Sequence, residues 1–260
     1  MKVFKLKPKP DSALFLLPNL LTTGNLFFGC LAIYMIIQQN VYFACLAILA
    51  ATLFDLFDGR MARLAKASTT FGIEYDSLCD LVSFGVAPAM LMYHWGFYDF
   101  GRLGWSVAFI FIVCGTLRLA RFNTEAKKVH VEKTYFKGLP IPVAANFFNT
   151  MVLFFRELDL PVISRPWLTI AILFISLLMV SPIPFRSFKD FKIGGGNLFT
   201  QLVILVLLAL LVLIHWEIHL FIVACLYIGF NLLAFVWNWT RKPLKKKAAP
   251  PPPPPAPGQS

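Results

Sequence analysis

The sequence predicts an all-α fold, a polytopic helix bundle embedded in a membrane, with about eight transmembrane helices and both termini cytoplasmic. Three observations carry that expectation. Of the 260 residues, 58% are hydrophobic and 27 are Phe, and the mean hydropathy is +0.70; soluble domains run at roughly 45–50% apolar. The apolar residues form long blocks, so lipid is the solvent they suit. Finally, the charged residues are few, 14% of the chain, yet the net charge is +11 and the basic residues lie between the blocks.

A spanning helix needs ~20 mostly apolar residues. The blocks of that kind are 15–37, 41–64, 71–97, 104–122, 140–157, 166–184, 197–215 and 218–239. Those at 140–157 and 166–184 are the shortest or most interrupted, so counts of about seven or six spans stay open. The N-terminal Met-Lys-Val-Phe-Lys leads into an apolar stretch too long for a signal peptide and without a small-residue cleavage site, which predicts a retained first span. Alternate sides of such a bundle divide the 24 Lys and Arg into 21 and three, the minority being Arg102, Arg156 and Arg165. That asymmetry predicts an even number of spans with both termini in the cytoplasm, and explains the basic charge without nucleic acid.

Residues 1–243 read as one membrane domain. Residues 244–260, Lys-rich and then a proline run, read as a disordered tail, because proline favours an extended, solvated chain. Cys30, Cys45, Cys79, Cys114 and Cys225 are isolated within apolar segments and are expected to be packing residues. His215-Trp-Glu217-Ile-His219 lacks the Glu position of a zinc-protease helix, and Gly194-Gly-Gly196 follows no strand, so neither predicts a metal or nucleotide site.

The chemistry concentrates at the facing ends of the second and third predicted spans, in Asp55, Asp58, Glu74, Asp76 and Asp80. An ionisable residue at membrane depth is costly and is a functional candidate by default. Asp55 and Asp58 are spaced i, i+3 and Asp76 and Asp80 i, i+4, so each pair shares a helix face. The short connection makes the two helices antiparallel neighbours, and four carboxylates can converge on one pocket. Like charges at close range resist joint ionisation. A hard divalent cation supplies the counter-charge, and Mg²⁺ typically takes a few carboxylates plus substrate phosphates. Arg63 suits an anionic substrate group, while Gly59, Ala62 and Gly72 permit close approach. Metal plus phosphate points to phosphoryl transfer. A plainer reading pairs the acids with Arg60, Arg63 and Lys66 as salt bridges; four acids on two matched faces favour the metal.

The spacing Asp55-x2-Asp58-Gly59-x2-Ala62-Arg63-x8-Gly72-x3-Asp76-x3-Asp80 resembles the signature of the CDP-alcohol phosphatidyltransferase family at every position. The resemblance implies that Asp55, Asp58 and Asp76 hold divalent metal (Mg²⁺ or Mn²⁺, two ions per active site) and that Asp80 is the general base and shares a metal. It also implies that Gly59, Ala62 and Arg63, with Gly72, contact the CDP-lipid. Pro18-Asn19-Leu20-Leu21-Thr22, with Asn25 beyond, is similar to the family's first-helix segment near the nucleotide. The stretches Asp76–Pro88, Arg118–Asn123 and Gly138–Pro142 resemble the phosphatidylserine synthase branch. That likeness implies CDP-diacylglycerol and L-serine as substrates, CMP as leaving product, a homodimer in membrane lipid, and a site facing the cytoplasm of the inner membrane. Arg118 and Arg121 are candidates for the acceptor carboxylate, because a guanidinium binds one bidentately; anchoring of the fourth span by positive charge is the other reading. Transfer to glycerol-3-phosphate or an inositol phosphate, for which Lys127, Lys128 and Lys137 are available, is the rival within the family. A cation transporter using the buried acids is the rival outside it.

Overall fold

The computed structural model describes residues 12–64, 69–126, 135–186 and 215–241. They are mostly helical. The first helix, α1 (Ser12–Ile37), runs into α2 (Val41–Leu64) through a tight turn whose Gln39 has a φ of 59°. Next come α3 (Thr70–Asp80), a π-helical segment (Leu81–Val86), α4 (Ala87–Met92) and a second π segment (Tyr93–Phe97). Three residues of 3₁₀-helix then lead to α5 (Gly101–Ala126). After these follow α6 (Ile141–Glu157), α7 (Arg165–Val180) and α8 (Trp216–Arg241). The expected span at 197–215, Gly194–Gly196, Lys127, Lys128 and the tail lie outside the described residues.

Among the described residues, four helical stretches are long and apolar enough to cross a membrane: Leu17–Ile37, Val41–Met61, Thr70–Glu125 and Trp216–Trp237; Arg165–Val180 is a shorter apolar helix. The third stretch is 56 residues long, which as one rod would measure ~84 Å, far more than the ~30 Å hydrocarbon core. It folds back on itself at Gly101, where φ is +55° and ψ −131°, a conformation available to glycine and few other residues. The start of α3 thereby meets the end of α5: Asn123 Nδ2 donates to Glu74 Oε2 at 3.1 Å and to Ser77 Oγ at 3.0 Å. The chain is a helical membrane protein.

The short α6, apolar apart from Asn146, Asn149, Thr150 and its last turn, lies inside the bundle, with Ala144, Ala145, Phe148, Asn149 and Leu153 all buried. Its amides bond to α2, Asn146 Nδ2 to Thr52 Oγ1 at 2.8 Å and Asn149 Nδ2 to the Cys45 carbonyl at 3.1 Å. Polar side chains shielded from lipid can join helices in this way. Phe84, Phe97, Phe111, Phe148, Ile141 and Phe185 form the main core, and Ala32, Ile36, Ala44, Ile48 and Leu91 form a second one. Large apolar side chains such as Leu20, Phe27, Leu117, Leu177 and Leu233 face outward, as a lipid-solvated surface requires.

One feature was absent from the helical expectation. Tyr135–Lys137 (β1) and Pro184–Arg186 (β2) pair antiparallel, Phe136 opposite Phe185. Each strand has three residues, too short for an alternating pattern to register in the sequence. The ribbon links the chain before α6 to the chain after α7.

Candidate active site at the junction of α1, α2 and α3

Asp55 and Asp58 occupy the last turns of α2. Helix α3 begins at the N-cap Thr69, whose Oγ1 accepts from the Gly72 N–H at 2.9 Å, satisfying a donor that helix geometry leaves open. Asp76 and Asp80 follow on the remaining turns of α3. The two helices pack against α1 rather than side by side as the short connection had suggested, and carboxylate oxygens of Asp55, Asp76 and Asp80 lie within 4.8 Å of one another. Asp58 is buried and acts electrostatically on both Asp55 and Asp80, although it stands outside that group of three. Asp76 Oδ1 is buried with no hydrogen-bond partner among the described residues.

The first helix closes one side. Asn25 is fully buried and donates from Nδ2 to Asp80 Oδ1 at 3.0 Å. Thr22, also buried, uses its hydroxyl on the Pro18 carbonyl at 3.0 Å. Thr23 Oγ1 and the Tyr75 hydroxyl lie 3.0 Å apart, tying α1 to α3. Gly59 and Gly72 sit half-buried on α2 and α3. Ala62 and Arg63 continue α2, but their side chains lie outside what is described.

The two candidate arginines of α5 differ. Arg118 is buried, its Nε has no partner among the described residues, and it is within electrostatic reach of Asp80. Its guanidinium carbon lies 6.0 Å from the centre of the Phe122 ring. Arg121 instead donates to four backbone carbonyls: Nη1 to Val180 at 2.7 Å, and Nη2 to Lys137 at 2.6 Å and to Met179 and Ser181 at 3.3 Å each. Three of these carbonyls end α7, where a cation complements the helix dipole.

Two polar contributions received no role of their own from the sequence, although Glu74 counted among the acids and Ser77, Ser83 and Asn123 fell within family-like stretches. Ser83, in the apolar run Leu81–Val86, bonds to α1, and the Asn123–Glu74–Ser77 group borders the carboxylates from α5. A serine inside an apolar helix and an asparagine at a helix end are the available signals, and both are weak, since small polar residues are common in membrane helices.

Three carboxylates converging from α2 and α3, each of which packs against α1, form an all-oxygen donor set of the kind Mg²⁺ and Mn²⁺ favour. The partnerless Asp76 oxygen is the kind of group a bound cation satisfies. Fold and site thus define a helical membrane protein with a carboxylate cluster of a kind that could hold a divalent cation. The sequence model of the CDP-alcohol phosphatidyltransferase family matches residues 15–181, and the chain belongs to that family. It is 35% identical over 202 residues to a CDP-diacylglycerol–serine O-phosphatidyltransferase of Helicobacter pylori, covering 77% of this chain and 83% of the relative. A Bacillus subtilis protein of the same name is 37% identical over 173 residues, 66% of this chain and 91% of the relative. The archaetidylserine synthase of Methanothermobacter thermautotrophicus is 37% identical over 183 residues, 68% and 72% of the two chains.

Proposed function

We propose that this protein is a CDP-diacylglycerol–serine O-phosphatidyltransferase. The observation that carries the reading is the convergence of Asp55, Asp76 and Asp80 within the family's eight-residue signature, supported by relatives named for this activity. Asp80 takes the proton of the L-serine hydroxyl. The serine oxygen then bonds to the phosphorus that carries the diacylglycerol, and the bond from that phosphorus to the CMP oxygen breaks. CMP leaves as its phosphate anion, and the lipid product is phosphatidylserine. Asp55, Asp58 and Asp76 would hold divalent cation, with Asp80 sharing it and two ions per site. Such ions neutralise the diphosphate and stabilise the attacking and leaving oxygens.

The chain's own residues supply position and charge, which carry most of the catalysis in phosphoryl transfer. Gly59, Ala62 and Gly72 leave room for the CDP group beside Thr22, and Arg63 binds its phosphate. Arg118 receives the serine carboxylate; a buried guanidinium with an unused donor supports that role. The four carbonyls on Arg121 support a structural role for the second arginine. The charge asymmetry of the connections supports about eight spans with both termini and the active site on the cytoplasmic side of the inner membrane. Family resemblance supports a homodimer.

The test is CMP release by purified protein given CDP-diacylglycerol, Mn²⁺ or Mg²⁺, and each acceptor separately. Release that needs both metal and L-serine is expected. Release with glycerol-3-phosphate or an inositol phosphate alone would overturn the acceptor. Metal flux without CMP would overturn the enzyme.

A further inference from the structure

The chemistry above leaves a polar link beside the aspartates without a task. Ser83 is completely buried, and its Oγ donates to the Asn25 backbone carbonyl at 3.0 Å. One turn further along α1, a Cβ on Gly29 would collide with Ser83 Oγ and fall 2.8 Å from its Cα. Here α1 and the π segment therefore touch backbone to backbone, which only a residue without a side chain permits. The π segment starts at the residue after Asp80, and such widened turns recur at functional sites. Asn25, held from behind by Ser83, presents Nδ2 to Asp80 Oδ1 at 3.0 Å. An ionised carboxylate only accepts, so the orientation of the Asn25 amide is dictated. One Asp80 oxygen is thereby engaged.

We infer that Ser83 and Asn25 form a hydrogen-bonded relay that fixes the side-chain orientation of Asp80, making both of them positioning residues for the acceptor step. Asn25 then serves the acceptor through Asp80 instead of gripping the CDP-lipid. The inference rests on the reading that Asp80 receives the acceptor's proton. It predicts a particular kinetic pattern: loss of the relay lowers kcat and leaves the KM for CDP-diacylglycerol in place.

The experiment is a double-mutant cycle on the full chain in detergent, with Asn25→Ala, Ser83→Ala and both together, each first checked for a single elution peak. We expect kcat to fall about a hundredfold in Asn25→Ala and about tenfold in Ser83→Ala. The double variant should match Asn25→Ala alone, because Ser83 acts only through Asn25. Multiplying losses in the double variant would overturn the relay. So would a tenfold rise in the KM for CDP-diacylglycerol with kcat unchanged. If Ser83→Ala fails to fold, Ser83→Cys keeps a side chain there and weakens the hydrogen bond, and an unaltered kcat in that variant would overturn the relay. Should the wild type prefer an acceptor other than serine, the serine reading fails and the cycle is run with that acceptor. Should no acceptor work, equilibrium binding of CDP-diacylglycerol decides: unchanged affinity in Asn25→Ala is expected, and tenfold weaker binding would overturn the relay.

Discussion

Asp80 ends α3, receives the Asn25 amide and shares its neighbourhood with Asp55 and Asp76. A neutral side chain of the same shape keeps the packing and removes the proton acceptor. Asp80→Asn should therefore lower kcat by a factor of about 10²–10⁴ while CDP-diacylglycerol binding survives within a few-fold; parallel loss of binding would remove Asp80 from the role of base. The arginines of α5 give a second test. Arg118→Lys should raise the KM for serine about tenfold, because an ammonium cannot reproduce a bidentate fork. Arg121→Lys should leave that KM alone and lower the thermal midpoint, in line with lost hydrogen bonds worth about 1–3 kcal/mol. In the sequence the two arginines were equivalent candidates. They stand about 60° apart around α5, and only the position of α7 decides that Arg121 is consumed by carbonyls. The four aspartates were legible because their spacing alone puts each pair on one face. Ser83 was not, because its meaning depends on α1 lying across it, more than fifty residues away in the chain.

At the scale of elements, hydrophobic length located the helices: α2 was expected at 41–64 and runs Val41–Leu64. Where that signal failed, backbone geometry had intervened. Two π segments interrupt the run from Thr70 to Phe97, and apolar periodicity has no marker for an extra residue in a turn. The β1–β2 ribbon was invisible for want of length. The turn at Gly101 is testable on its own. A Cβ there meets nothing within 4 Å, so Gly101→Ala changes backbone preference and little else. A cost of about 1–3 kcal/mol is expected for holding a non-glycine residue in that conformation, read as a lower thermal midpoint with kcat retained in the folded fraction. An unchanged midpoint would mean that the chain does not fold back at this residue.

The molecule as a whole joins an apolar exterior suited to lipid, a buried α6 tied to α2 by its asparagines, and a cluster of carboxylates contributed by α2 and α3. The orientation proposed from the distribution of basic residues puts that cluster, together with both termini, on the cytoplasmic side. Single cysteines introduced at Lys7 and Lys246 in a cysteine-free chain should react with an impermeant maleimide only in inside-out vesicles. Labelling of the two from opposite faces would make the number of spans odd and place the charge reading in error.

The most direct test of the central claim, that these carboxylates support transfer to serine, is formation of radiolabelled lipid from labelled L-serine and CDP-diacylglycerol. It would be followed in purified protein before chelation, after it, and after return of Mn²⁺ or Mg²⁺. The account predicts phosphatidylserine in step with CMP, its disappearance on chelation and its recovery with the metal. Serine-labelled lipid made at full rate in the thoroughly chelated protein would contradict it.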